Sequence, residues 1–232
     1  MAQTSSQDRR TAFLALLLTV PVPSLGTAAG MIVAPGTTAG GAVFLASKVW
    51  ISVVPLVWLF LVDKGRWSWS RPARGGLGTG LALGLAIGAV IVVAYFGLGT
   101  LLLDRETMRT TAHQIGLADR GAYIGGAVYW VCVNSLLEEY FWRWFVYSKS
   151  EVLMPPGFAV PVSALCFTVH HVVALQVYLG MTATLVTAVG VFAAGAVWSW
   201  CYRRYRSVWP GYVSHAVVDV SVFAIGYLLI FG

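Results

Sequence analysis

Seven stretches of the chain are almost continuously apolar, at about 11–33, 41–62, 76–103, 121–147, 158–179, 181–201 and 209–231, with short polar segments between them. Each is near or above the roughly 20 residues that an α-helix needs to cross a bilayer. Lipid cannot satisfy exposed backbone groups, so such runs must be helices or strands of a closed barrel. The runs lack the period-2 alternation of barrel strands. The pattern therefore predicts an all-α, polytopic membrane helix bundle of about seven transmembrane helices, with 1–232 forming a single integral membrane domain. The longest connection, Asp104 to Arg120, is polar enough to lie as a loop at the outer surface.

The first run resembles a secretory signal, because Arg9 and Arg10 precede a short apolar stretch, Phe13 to Val20, that Pro21 and Pro23 interrupt. The apolar character continues to Val33, which favours a retained span.

Composition agrees with lipid as the solvent: 58% of the 232 residues are apolar and 10% charged, where an ordinary soluble domain carries about 25% charge. Mean hydropathy is +0.77. The net charge of +6 would suit a nucleic-acid partner until the charges are placed along the chain. With the N-terminus inside, Arg9, Arg10, Lys64, Arg66, Arg71, Arg74, Arg143, Lys149, Arg203, Arg204 and Arg206 fall on the cytoplasmic side, against Arg105, Arg109 and Arg120 outside. That asymmetry follows the positive-inside rule and indicates the cell membrane, with no nucleic-acid partner. Trp67, Trp69, Trp142, Trp144, Trp198, Trp200 and Trp209 fall at the cytoplasmic helix ends, the headgroup level that tryptophan favours.

The small residues read as packing. Gly76, Gly78 and Gly80 follow a basic loop rather than a strand, so they are not a dinucleotide loop. Gly80, Gly84 and Gly88 recur on one helix face, the spacing that lets membrane helices approach closely. Cys132, Cys166 and Cys201 are too far apart for a Cys-x-x-Cys site and read as packing residues.

Ionisable residues deep in spanning helices cost about 2.5–3.5 kcal/mol each on insertion scales, which makes them functional candidates. Here they concentrate on three helices: Glu138, Glu139 and Arg143; His170 and His171; His215 and Asp219. At 1.5 Å per residue, Glu138 lies roughly 16 Å in from Lys149, His215 roughly 13 Å from Arg206 and His171 roughly 21 Å from Gly157, so the three sets reach similar depth. Residues four apart share a face, so Glu139 can pair with Arg143 while Glu138, turned about 100° away, stays free. Only one of His170 and His171 can face the bundle centre. Phe167 shares the face of His171, and Asp219 that of His215, where its carboxylate can fix the ring tautomer. His113, in the outer loop, reads as solvated.

Glu138-Glu139-x-x-x-Arg143, Phe167-x-x-x-His171 and His215-x-x-x-Asp219, in that order on three membrane helices, resemble the motifs of the CAAX protease and bacteriocin-processing (CPBP, or Abi) family of intramembrane proteases, related to the CAAX prenyl endopeptidase. The resemblance covers about Gly121 to Gly232, and Asp219 stands where many members have Asn. It implies hydrolysis of a peptide bond in a membrane-associated peptide or protein substrate. Glu138 and His171 would activate water, with Glu139 and Arg143 as a supporting pair, and His215 with Asp219 would stabilise the oxyanion. No cofactor is favoured. Zinc is possible, in which case Glu138, His171 and His215 would be its ligands, but no His-Glu-x-x-His helix is present. Buried acids and histidines also suit a proton-coupled transporter, and a silent member could be a non-enzymatic immunity or scaffold protein. A transporter should show two inverted halves, whereas here only Lys48 marks the N-terminal helices.

Overall fold

The computed structural model describes residues 5–232, and every regular element among them is helical. In chain order these are α1 (Ser6–Val33) and α2 (Thr38–Val62), α3 (Leu77–Leu102), α4 (Arg105–Gln114), α5 (120–153), α6 (Pro156–Leu175), α7 (Met181–Tyr205) and α8 (Trp209–Phe231). Six of them, α1, α2, α3, α6, α7 and α8, are long and apolar enough to cross a membrane. The seventh expected span lies within α5, which is long enough but carries Asn134, Glu138, Glu139, Arg143, Lys149 and Glu151. The chain is a multi-pass membrane protein.

Local sequence explains where the helices begin and bend. Ser5 and Asp8 form a reciprocal capping box at the start of α1. Pro21 and Pro23 interrupt α1 without ending it, because Val20 keeps helical dihedral angles and its N–H still bonds the Leu16 carbonyl. The connection from Asp104 to Arg120 is not all loop. Asp104 caps the backbone N–H groups of Glu106 and Thr107, and α4 winds from there.

Two kinds of packing hold the bundle together. Along α3, Gly80, Gly84 and Gly88 lie against α8; a Cβ on Gly84 would stand 2.9 Å from both Ser214 Cα and Val217 Cβ, closer than real contacts allow. The small-residue face read from the sequence is thus a backbone-to-backbone contact. Around α5 the core is instead built from large rings. Phe141, Trp142, Phe145, Phe167 and Trp198 are buried together with Val146, Ala194 and Val218. The outward faces, among them Leu17, Val93, Phe96, Leu101 and Val189, are apolar and exposed, as lipid contact requires.

Polar contacts gather one end of the bundle. Arg9 donates to the Leu153 carbonyl, Lys149 pairs with Asp63, Arg206 with Glu151, and the Tyr205 hydroxyl bonds Thr79. At the opposite end Arg105 and Arg109 donate to the Gly232 carbonyl, and Arg120 lies over the Phe231 ring. The basic residues segregate as expected, with one correction. Arg143 belongs to neither end, because it is fully buried beside Glu139. Trp142 and Trp198 are likewise core residues and not headgroup anchors, being 1% and 3% exposed. All three cysteines are free; Cys201 is buried, Cys166 partly so, and Cys132 is exposed and packs little.

Candidate active site

The site is organised by a change of winding within α5. Over Trp130–Asn134 and Glu139–Tyr147 the backbone hydrogen bonds span five residues instead of four, and between these wide stretches sits one ordinary turn, Ser135–Glu138. Wide turns of this kind are rare and often occur at functional sites. Here Glu138 ends the ordinary turn and Glu139 opens the second wide stretch.

Glu139 and Arg143 form the buried pair expected from their spacing. Arg143 Nε stands 3.4 Å from Glu139 Oε1, with neither side chain exposed. That is an ion-pair distance without hydrogen-bond alignment, and the guanidinium nitrogens have no hydrogen-bond partner among the described residues. The cation lies instead over two ring faces, 4.6 Å from the Phe167 centroid and 5.5 Å from that of Trp198. Gly211 makes room for the acid: a Cβ there would approach Glu139 Cδ to 3.2 Å and its Oε2 more closely still.

His215 ties α8 to both glutamates. Its Nδ1 lies 3.1 Å from Glu139 Oε1, so with an ionised, acceptor-only carboxylate the ring nitrogen is the donor. Its Nε2 then faces Glu138 Oε2 at 3.6 Å and Asp219 Oδ1 at 3.8 Å. The ring is clamped by stacking on Trp198, with centroids 3.9 Å apart and planes 16° from parallel. Asp219 is held by the Ser135 hydroxyl, which donates to its Oδ2 at 2.6 Å.

Glu138 is not free, contrary to the helical-wheel expectation. Asn134 Nδ2 donates to its Oε1 at 2.9 Å, and Lys48 Nζ, from α2, donates to Asn134 Oδ1 at 2.8 Å. The wheel considered partners on α5 toward the C-terminus and overlooked Asn134, one turn before.

On α6 the two histidines separate as expected. His171 lies on the face of α6 that carries Phe167, the ring against which His215 also packs. Its Nδ1 is 3.0 Å from the Phe167 carbonyl, which can only accept, so Nε2 keeps its lone pair in the neutral ring. The Phe167 ring stands 4.1 Å from it and 6.0 Å from His215, a shared aromatic wall. His170 is buried against Trp142 on another face. His113 is exposed on α4, far from the site.

Glu138, Glu139, Arg143, His171, His215 and Asp219 are thus brought together from α5, α6 and α8. Spacing within one helix did not reveal Lys48, Asn134, Ser135, Trp198 or Gly211. Asn134 had a sequence signal in its position four residues before Glu138, and Lys48 in being an ionisable residue within a spanning run. Among the described residues no three His, Cys, Asp or Glu side chains converge in a metal-holding arrangement. Zinc is therefore not supported.

Comparison with known proteins adds one match. No curated protein and no solved structure matches the chain. Residues 120–221 match the family model described as type II CAAX prenyl endopeptidase Rce1-like. This range starts at α5 and ends just after Asp219, so it contains every acid, imidazole and guanidinium of the site, while the Lys48 ammonium lies outside it. The segment that carries the site is thus similar to the Rce1-like family, which is consistent with the CPBP family of CAAX-type intramembrane proteases.

Proposed function

We propose that the chain is an intramembrane endopeptidase that hydrolyses a peptide bond of a membrane-associated substrate, with water activated by Glu138 and His171. The observation that supports this best is the junction of α5, α6 and α8, where His215 Nε2 lies 3.6 Å from Glu138 and 3.8 Å from Asp219, and the Phe167 ring packs against both His215 and His171. Glu138 takes a proton from water as its oxygen attacks the scissile carbonyl. The Nε2–H of protonated His215, aimed between Glu138 and Asp219, donates to the oxyanion that forms. Asp219 holds that proton in line, and Ser135 holds Asp219. The leaving amine then receives the proton carried by Glu138 or His171. Glu139 and Arg143 fix His215 from its other nitrogen and keep the local charge balanced. No step needs a metal.

We place this activity in the whole chain as one membrane domain, in the cell membrane with its N-terminus in the cytoplasm, as the asymmetry of basic residues favours. Reporters fused after Gly75 or Arg206 should then read as cytoplasmic and one fused after Arg109 as external; inverted signals would reverse the orientation. The activity itself is tested by comparing membrane proteomes of cells carrying the wild type and Glu138→Gln. Uncleaved membrane peptides should accumulate in the variant, and unchanged turnover would refute the role of Glu138.

A further inference from the structure

Lys48 is an ammonium in the middle of an apolar helix, outside the segment that matches the family. It lies roughly 15 Å from the start of α2 at 1.5 Å per residue. A lysine near a helix end snorkels toward the headgroups. This one turns inward, to Asn134 Oδ1 at 2.8 Å. Phe44, one turn before it, places its ring 5.6 Å from the ammonium. One turn beyond, Ser52 donates to the Lys48 carbonyl, and the Ser52 carbonyl accepts from the Tyr140 hydroxyl of α5 at 3.2 Å. Two separate contacts therefore fix the register of α2 against α5 at this level.

The chemistry of the three groups leaves one arrangement. An ammonium can only donate, so the atom of Asn134 it meets must be the carbonyl oxygen. The amide nitrogen is then turned toward Glu138, where it donates to Oε1 at 2.9 Å. One carboxylate oxygen is held, and Oε2 is left facing His215 at 3.6 Å. We propose that Lys48 is a positioning residue for Glu138: it orients Asn134, and Asn134 holds the glutamate's Oε1 so that Oε2 is presented to the reacting water. The charges then form two sets, Arg143 serving Glu139 directly and Lys48 serving Glu138 through an amide. His215, at 3.6 Å, is the titratable side chain that meets this acid from α8. As a statement about catalysis this rests on the endopeptidase reading; as a statement about Glu138 it does not.

The test uses the full chain in lipid nanodiscs, as Lys48→Met, Lys48→Arg, Asn134→Leu, the Lys48→Met/Asn134→Leu pair and Glu138→Gln. The probe is a farnesylated peptide bearing a quenched fluorophore across its last residues. Lys48→Met should lower kcat about 10–100-fold, the usual effect of removing a group that orients an active one, with KM nearly unchanged. Lys48→Arg should retain most of kcat, and the double variant should be no slower than Asn134→Leu alone, because both substitutions break one relay. A second readout needs no substrate. The infrared band of the Glu138 carboxyl group, found by difference against Glu138→Gln, should shift in Lys48→Met and to the same place in Asn134→Leu. An unmoved band, or a raised KM with kcat intact, overturns the proposal. Full activity in Glu138→Gln instead refutes the endopeptidase mechanism, and should the peptide not be cleaved by the wild type, the band alone decides whether Lys48 positions Glu138.

Discussion

The helices before Asp104 and those after Arg120 solve the same problem by different means. In lipid there is no hydrophobic drive between helices, so contact must come from close packing or from polar groups. The first three helices bury small residues: Ala12, Ala15, Thr19, Gly26, Gly40, Ser47 and the glycine face of α3. The C-terminal helices bury the large and the charged: Trp142, Arg143, Tyr147, Phe141, Phe167 and Glu139 are among the largest fully enclosed side chains. Small-residue faces bring backbones together and leave no room for chemistry. A wall of rings excludes lipid from a polar centre and holds its side chains in single orientations. The difference teaches that the catalytic candidates depend on aromatic packing for their geometry, while the N-terminal helices supply the frame and, through Lys48, one charge.

That contrast can be broken from either side. The largest effect should come from the polar centre: Glu138→Gln and His171→Ala should each cut turnover by about 10²–10⁴, the span of a general base, with thermal unfolding little changed. Retained turnover in either would remove that residue from the mechanism. Next, Glu139→Gln or Arg143→Ala should destabilise by about 3–5 kcal/mol, since each strands a buried charge; abundance in membranes and a thermal melt would show it. On the glycine side, Gly84→Leu should destabilise by about 1–3 kcal/mol by overpacking α3 against α8, and it should also reduce activity per folded molecule, because α8 carries His215. If activity per folded molecule holds, the frame and the site are independent. His170→Ala should cost stability through the space left beside Trp142 and spare the kcat of what remains folded. Smallest of all is the surface cap. The Thr107 hydroxyl and N–H hold the Asp104 carboxyl below its ordinary range, so its contribution is present at neutral pH and lost as pH falls through that lowered value. Asp104→Ala should therefore give a slight drop in melting temperature that disappears in acid.

The membrane fold was legible because a span needs a long apolar run, and seven such runs stand out. The motif residues were legible for the opposite reason: Glu138, His171 and His215 are costly where they stand. What stayed hidden depended on neighbours in space. Trp142 and Trp198 have the composition of headgroup anchors, and only the packing of α5, α6 and α7 shows that they are core. Lys48 reaches across to Asn134, a pairing no single helix encodes. The wide turns of α5 have no residue signature, and Glu138 was left free because only positions after it were considered, although Asn134 stands four residues before it. The helix between Asp104 and Gln114 was read as loop because its polar residues form no apolar stripe.

Those wide turns also make α5 a phase-sensitive part. Its far end is bolted to two other elements, by Lys149 to Asp63 and by Glu151 to Arg206. Its middle is keyed to α8 through Glu139 and His215. The count between the ion pair and the anchors is matched to this winding: a residue lost between Arg143 and Lys149 leaves keying and bolting together only if a wide turn tightens to an ordinary one, and a residue gained only if another turn widens. Substitutions along this stretch can be absorbed one at a time, whereas each change of length must be met by a change of winding.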